Sequence, residues 1–167
     1  MKKIMSIKKV VCPIDFSDNS KLVAESAAYI AGTFKASIHL VFVVQNFEDY
    51  SGFFVPQMAM PNLEQELFAG AEEHMQRFCD EHADAFKKAG VSEVAHKVFV
   101  GDVGEQIIQY AAEIHGDLIV MGTHGYKGLE KIMFGSIAEK VVRSAHCPVM
   151  SINPYTCCEV AEDGPSR

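Results

Sequence analysis

Five short apolar runs alternate with longer amphipathic stretches along this chain of 167 residues. The runs are rich in aliphatic residues and lack the regular alternation of apolar and polar positions that a half-exposed strand shows. Such runs are typical of strands that are buried on both faces of a parallel sheet. The sequence therefore predicts strands over residues 10–14, 37–44, 94–100, 117–121 and 148–153.

The amphipathic stretches between these strands predict four helices. The first follows the polar residues 17–20 and ends near Phe34, and the second ends at Gly90, a typical C-cap residue. The other stretches, like the second, begin with the spacing of a capping box, in which two side chains bond each other's backbone amides. These boxes are Asn62 with Gln65, Asp102 with Glu105, and Ser136 with Glu139.

Strands and helices alternate along the whole chain, with a glycine-rich loop before the last helix. This order predicts an α/β fold, a single doubly wound parallel sheet of five strands with helices on both faces. We predict one domain over residues 1–153 and a polar C-terminal tail over residues 154–167.

Residues 45–61 form a long irregular segment that contains several Phe and Met residues. A loop of this length inside a compact domain is usually functional or mobile. Two interpretations stay open: the segment packs on the sheet edge or a partner subunit, or it forms a flap over a ligand.

Charge and composition restrict the partners. The formal net charge of −7 gives no overall attraction for nucleic acid, although local backbone amides can still hold a phosphate. No apolar stretch approaches the length of a membrane span. The five cysteines match no zinc spacing, and free thiols are typical of a reducing compartment. We therefore expect a cytoplasmic protein without a membrane or nucleic-acid partner.

The candidate chemistry lies after the fourth predicted strand. Doubly wound sheets bind ligands beyond the carboxyl ends of their strands, and this strand is followed by Gly122, Gly125, Gly128 and Gly135. Glycine lets a ligand approach the backbone closely. Gly135 stands at the start of a helix, where free amides and the helix dipole attract phosphate. We expect Ser136 to cap that helix, to donate its hydroxyl to a phosphate, or both.

Two commoner phosphate motifs are missing from the sequence. The chain contains no Gly-x-x-x-x-Gly-Lys-Ser/Thr, and no Gly-x-Gly-x-x-Gly follows the first strand. Their absence disfavours a standard P-loop enzyme and a standard dinucleotide dehydrogenase.

Three stretches of sequence resemble the universal stress protein family. Gly122-x-x-Gly125, nine residues and then Gly135-Ser136 is similar to the nucleotide-binding signature of its ATP-binding branch. The first strand leads into Val-Cys-Pro-Ile-Asp-Phe-Ser, and Cys-Pro-Val-Met stands near the end. The resemblance covers about residues 6–153.

This resemblance implies a strand order 3-2-1-4-5, a homodimer formed through the last strand, and a role in the stress response. It also implies that ATP or AMP binds, with Mg²⁺ or Mn²⁺ on the phosphates as an open possibility. The binding residues that the resemblance implies are Pro13, Asp15, Val43, Met121, Gly122, Gly125, Gly135, Ser136 and Ile137. Their positions at the strand ends and in the loop add Ile14, Thr123 and His124 as candidates, although His124 can instead make a local hydrogen bond within the turn.

Two roles stay open for Asp15, which follows the first strand. Its carboxylate can cap the following helix, or it can accept a hydrogen bond from ribose or hold a metal ion on the phosphates.

Three functions stay open for the chain. The first is a nucleotide-dependent switch that changes a protein partner, whose identity the sequence does not show. The second is a slow ATPase or a self-phosphorylating enzyme, with Ser136 or Thr123 as acceptor. The third is an interaction module with a vestigial nucleotide site. No set of a nucleophile and a general base is recognisable, so we expect at most weak catalysis.

Overall fold

The computed structural model describes residues 6–45, 62–123 and 135–155. They form a five-stranded sheet of parallel strands in the order β3-β2-β1-β4-β5, which confirms the predicted topology. The strands are β1 (Lys9–Pro13), β2 (Ser37–Val44), β3 (Val94–Val100), β4 (Leu118–Gly122) and β5 (Val149–Ile152), and the helices are α1 (Asp18–Thr33), α2 (Leu63–Ala89), α3 (Val103–Glu113) and α4 (Ser136–Ser144). Residues 46–61 lie outside the described residues, and so does the tail beyond Tyr155.

Two cores cover the two faces of the sheet. Neighbouring residues of β1 point to opposite faces, so that Val10 and Val11, both 0% exposed, lie in different cores. The core around Val10 includes α1 and α2, and the core around Val11 includes α3 and α4. This two-sided burial explains why β1, β2 and β4 lack an alternating pattern, and it leaves their ends as the place for a ligand crevice.

Helix α1 comes close to the end of α2 at Gly32. A Cβ atom built on this residue would lie 1.7 Å from the carbonyl oxygen of Ala89. Helix α2 ends at Ala89, because Gly90 takes the left-handed C-cap conformation at φ 84°, as predicted.

The helix starts agree only in part with the predicted capping boxes. Asp102 caps α3, and its side chain accepts a hydrogen bond of 2.8 Å from the amide of Glu105. Asn62 occupies the N-cap of α2 but makes no side-chain cap bond. The prediction for α4 was wrong by one residue, since Gly135 occupies the N-cap and Ser136 is the first helical residue.

No helix within the described ranges is long and apolar enough to cross a membrane.

Candidate functional site

The carboxyl ends of β1, β2 and β4 meet at the point where the strand order reverses. Strand β1 lies between the other two, with Pro13 opposite Val41 and with Val11 opposite Ile119. The chain stays attached to β2 beyond Pro13, because the amide of Ile14 donates to the carbonyl of Val41 at 2.9 Å. We call the space at these three strand ends, bounded by the first turn of α4, the crevice.

One wall of the crevice is apolar. Val43 and Met121 are 7% and 4% exposed and belong to the core beneath α3 and α4, and Ile137 packs against that core. Pro13 shares this face of the sheet, since it alternates in phase with Val11. Four of the predicted binding residues, one each from β1, β2, β4 and α4, therefore line the same face.

Ile14 does not share this wall. Its side chain is 7% exposed and packs in the opposite core, beneath α1 and α2. The alternation of side chains along a strand requires this, because Pro13 and Ile14 are adjacent. Only the backbone of Ile14 lies at the crevice.

The two ends of the glycine-rich segment meet beside β5. The amide of Thr123 donates to the carbonyl of Ile152 at 2.9 Å, and the amide of Gly135 donates to the carbonyl of Thr123 at 2.8 Å. A Cβ atom at Gly135 would lie 3.2 Å from that carbonyl oxygen, so glycine suits the close contact. The predicted residues His124 and Gly125 lie outside the described residues.

Helix α4 begins at the edge of the crevice. The carbonyl of Gly135 accepts the first helical bond, from Glu139 at 3.0 Å, and Gly135, as the N-cap residue, has no side chain with which to cap the helix. The amides of residues 136–138 precede that first bond and have no acceptor within the helix. They carry the positive end of the helix dipole, and the exposed Ser136 adds a hydroxyl beside them. This combination can bind an anion.

The carboxylate of Asp15 is held in place by its own loop. Its Oδ1 atom accepts hydrogen bonds from the amide of Ser17 at 3.0 Å, from the hydroxyl of Ser17 at 2.5 Å and from the hydroxyl of Ser20 at 2.8 Å. The Asp15 amide donates in turn to the Ser20 hydroxyl at 3.1 Å. Asp15 therefore orders the start of α1 through Oδ1, although Ser17 occupies the N-cap.

Sequence reasoning missed the role of Ser17 and Ser20. An aspartate followed two residues later by serine is a typical Asx-turn sequence, and this signal would have found the first of them. Ser20 is 3% exposed and occupies the first turn of a helix, a position that a sequence pattern does not mark.

The described cations around α4 are engaged with carboxylates. Lys140 contacts Asp102 at 2.9 Å and Glu105 at 3.0 Å, which joins α4 to α3. The hydrogen bond from the amide of Glu105, followed by that from Lys140, lowers the pKa of the Asp102 carboxyl. Arg143 pairs with Glu139 at 3.4 Å.

Nucleophilic and metal-binding groups do not converge at the crevice in the described ranges. No cluster of three or more His, Cys, Asp or Glu side chains suited to a metal ion occurs there. Burial raises the pKa of the Cys12 thiol to about 12, so this thiol is a core group at neutral pH.

Comparison with known proteins identifies the family. Residues 6–153 match the model of the universal stress protein family. A universal stress protein of Methanocaldococcus jannaschii is 36% identical over 153 residues, which cover 87% of this chain and 81% of the relative. A homolog of universal stress protein A from Coxiella burnetii is 30% identical over 149 residues, 89% of this chain and 97% of that protein. The chain belongs to the universal stress protein family.

Solved structures share the fold. The universal stress protein UspA of Lactobacillus plantarum superposes with a TM-score of 0.74 at 23% identity, over 87% of this chain and 97% of that protein. A universal stress protein in complex with cAMP superposes with a TM-score of 0.61 at 21% identity, over 89% and 98% of the two chains. At these identities the superpositions show the α/β fold.

Proposed function

We propose that this chain binds an adenine nucleotide, ATP or AMP, in the crevice. The main support for the proposal is that three unlike groups meet at the point where the strand order reverses. These are an apolar wall, a fixed carboxylate and the free amides of a helix N-terminus. An adenine nucleotide offers the complementary groups in the same order, namely a flat apolar base, ribose hydroxyls and phosphates.

Each part of the crevice has one task in this proposal. The adenine ring packs against the wall formed by Pro13, Val43, Met121 and Ile137. The ribose hydroxyls donate to the Oδ2 atom of Asp15. The phosphates accept hydrogen bonds from the first turn of α4 and approach the backbone at the two ends of the glycine-rich segment.

All the binding residues stay predictions, and two of them, His124 and Gly125, lie outside the described residues. The presence of Mg²⁺ or Mn²⁺ as companion of the phosphates is a prediction as well. We place the chain in the ATP-binding branch of its family because it carries Gly122, Gly125, Gly135 and Ser136 at the spacing of the signature. The relative whose structure contains cAMP supports an adenine nucleotide as ligand.

We further propose that the nucleotide acts as a switch in the stress response, in the cytoplasm. Ligand contacts at Asp15 and α4 join elements from the two halves of the sheet, so binding and release can change how a partner is recognised.

Thermal unfolding with and without nucleotide tests the proposal. A ligand at a hundred times its dissociation constant stabilises the native state by about 2.7 kcal/mol. For a chain of this size that corresponds to a rise of roughly 5–10 °C in Tm. We expect this rise with ATP or AMP, and its loss in Gly122→Val, in which the new side chain fills space at the end of β4.

Gly70→Val is the matched control. A Cβ atom at Gly70 meets no atom within 4 Å, and the residue lies on α2. This variant is expected to keep the shift of the wild type. A Tm that millimolar ATP and AMP leave unchanged contradicts the proposal.

We also propose a homodimer formed through β5. This strand is the last in the sheet order, and no described strand pairs with its outer side. Met150 on it is 39% exposed. An edge strand with free backbone groups is a template for pairing with another chain.

A further inference from the structure

Phe16 has an unusual backbone conformation directly after Asp15. Its φ angle is 59°, in the left-handed region that residues with a Cβ atom rarely adopt. Two other non-glycine residues in the described ranges share it, Lys35 and His115, and both directly follow the C-cap of a helix. A left-handed residue is ordinary at the end of a helix. Phe16 instead lies between a strand and the start of a helix.

The ring of Phe16 is anchored by aromatic neighbours. Its centroid lies 4.5 Å from that of Phe42 on β2, and 5.8 and 6.2 Å from those of His74 and Phe78 on α2. The side chain is partly buried and packs against the core beneath α1 and α2. Contacts of this kind offset the cost of the left-handed backbone.

The bend at Phe16 determines the position of the Asp15 carboxylate. The chain bends there, and the amide and hydroxyl of Ser17 and the hydroxyl of Ser20 all reach Oδ1. One carboxylate oxygen is thereby saturated with donors. The other, Oδ2, accepts no hydrogen bond from the described part of the chain.

We propose that Phe16 is a positioning residue for the nucleotide site. Its anchored ring holds the left-handed bend, and the bend fixes the Asp15 carboxylate with Oδ2 available to a ribose hydroxyl. This inference rests on the proposed nucleotide binding and adds a residue that does not itself touch the ligand.

Three substitutions separate the bend from simple packing. Phe16→Leu keeps an apolar anchor, Phe16→Gly loses the anchor but adopts the left-handed region freely, and Phe16→Ala loses the anchor and keeps the penalty. For a residue with a Cβ atom, the penalty lowers the population of the left-handed conformation roughly tenfold relative to glycine. If Phe16 acted through packing alone, Phe16→Ala would hold the bend and bind ATP at least as well as Phe16→Gly.

Two measurements are made on each folded variant. Amide hydrogen exchange at Ser17, followed by NMR without nucleotide, reports the bend, because this amide donates to Asp15. Calorimetric titration with ATP reports the site. We expect protection and affinity to decrease in the order wild type or leucine, then glycine, then alanine, with alanine about tenfold below wild type.

Two further variants keep the result interpretable. Ile30→Ala removes a partly buried side chain from the same core at the far end of α1, and it should exchange and bind as the wild type does. Phe42→Ala removes the nearest partner of the ring, and it should speed exchange at Ser17 even where Phe16→Ala does not fold.

The outcomes distinguish the two proposals. If alanine equals or exceeds glycine in both measurements, or if Ser17 exchanges at the wild-type rate in Phe16→Ala and Phe42→Ala, the positioning role is wrong. If the variants show the predicted order of amide exchange but the wild type binds neither ATP nor AMP, the proposed function is wrong. The positioning role depends on that function and is then wrong as well.

Discussion

Substitution of Asp15 separates its two roles, because its two carboxylate oxygens have different surroundings. Oδ1 accepts three hydrogen bonds from Ser17 and Ser20. In our proposal Oδ2 accepts from ribose. Asp15→Asn can keep the Oδ1 acceptor, but it replaces Oδ2 with an amide group that only donates. Asp15→Ala removes both.

The expected losses follow from these contacts. Each hydrogen bond contributes about 0.5–1.5 kcal/mol net, so the three bonds lost in Asp15→Ala amount to about 3 kcal/mol, or roughly 6–12 °C in Tm. Asp15→Asn keeps the bonds with a neutral acceptor and should lose no more than about 1 kcal/mol. Its affinity for ATP should fall roughly tenfold, since a charge-assisted bond to ribose is lost.

Thermal unfolding without nucleotide and calorimetric titration with ATP together check this prediction. We expect asparagine to impair binding while stability is largely kept, and alanine to impair both. Wild-type affinity in Asp15→Asn would refute the ribose contact and leave Asp15 with its structural role alone. Equal loss of stability in the two variants would refute the assignment of three bonds to Oδ1.

Three further predictions concern the fold and the assembly. Gly32→Ala should cost about 3 kcal/mol in urea unfolding, because its Cβ atom would meet the Ala89 carbonyl at 1.7 Å and overpacking costs roughly 1–3 kcal/mol; a change below about 0.5 kcal/mol would contradict the close approach. Asp102→Ala should cost about 1 kcal/mol at pH 7 through loss of the cap. Since the folded-state pKa of Asp102 is lowered, its contribution is present above the unfolded value of about 3.9 and is lost as pH falls through the folded value, so the difference in stability between wild type and variant should shrink as the pH falls below the unfolded value. Ser151→Pro should convert the proposed dimer to a monomer, because proline removes an amide that pairing through β5 would use. The carbonyls of Pro148 and Ile152 face β4, so the alternation along the strand directs the Ser151 amide to the outer side. Light scattering measures the mass, and an unchanged mass would contradict pairing through β5.

The sequence predicted the sheet well for a physical reason. Strands β2 and β3 have the predicted bounds, and each ends in an apolar stretch that Gln45 or Gly101 follows directly. Strand β1 begins one residue earlier than predicted. The amide of Lys9 is bound by the carboxylate of Asp117 at 3.0 Å, a contact between residues 108 positions apart that no local pattern shows.

The candidate site stays a prediction, and the structure shows only how its residues are placed. The strand ends and the glycine spacing indicate the wall residues and Gly135, and the structure places Val43 and Met121 in one core. The opposite placement of Ile14 follows from strand alternation and should have been predicted. The bend at Phe16 could not be predicted, because an aromatic residue disfavours it and the ring contacts that hold it come from β2 and α2.

The N-cap of α4 is a second feature that the sequence pattern alone does not predict. Ser136 and Glu139 have the spacing of a capping box, yet the extended conformation at φ −71° and ψ 154° belongs to Gly135. The hydrogen bond from the amide of Gly135 to the carbonyl of Thr123 holds Gly135 in the N-cap position, one residue before the predicted N-cap. Ser136 is therefore the first helical residue, and its hydroxyl lies outside the cap position. Tertiary contact overrides the local signal here.

Calorimetric titration of the purified chain with ATP, repeated with Gly122→Val, tests the central claim most directly. We expect one nucleotide bound per chain in the wild type and no measurable binding in the variant, while Gly70→Val binds as the wild type does. Absence of binding to the wild type, or equal affinity in Gly122→Val, would contradict a nucleotide site in the crevice.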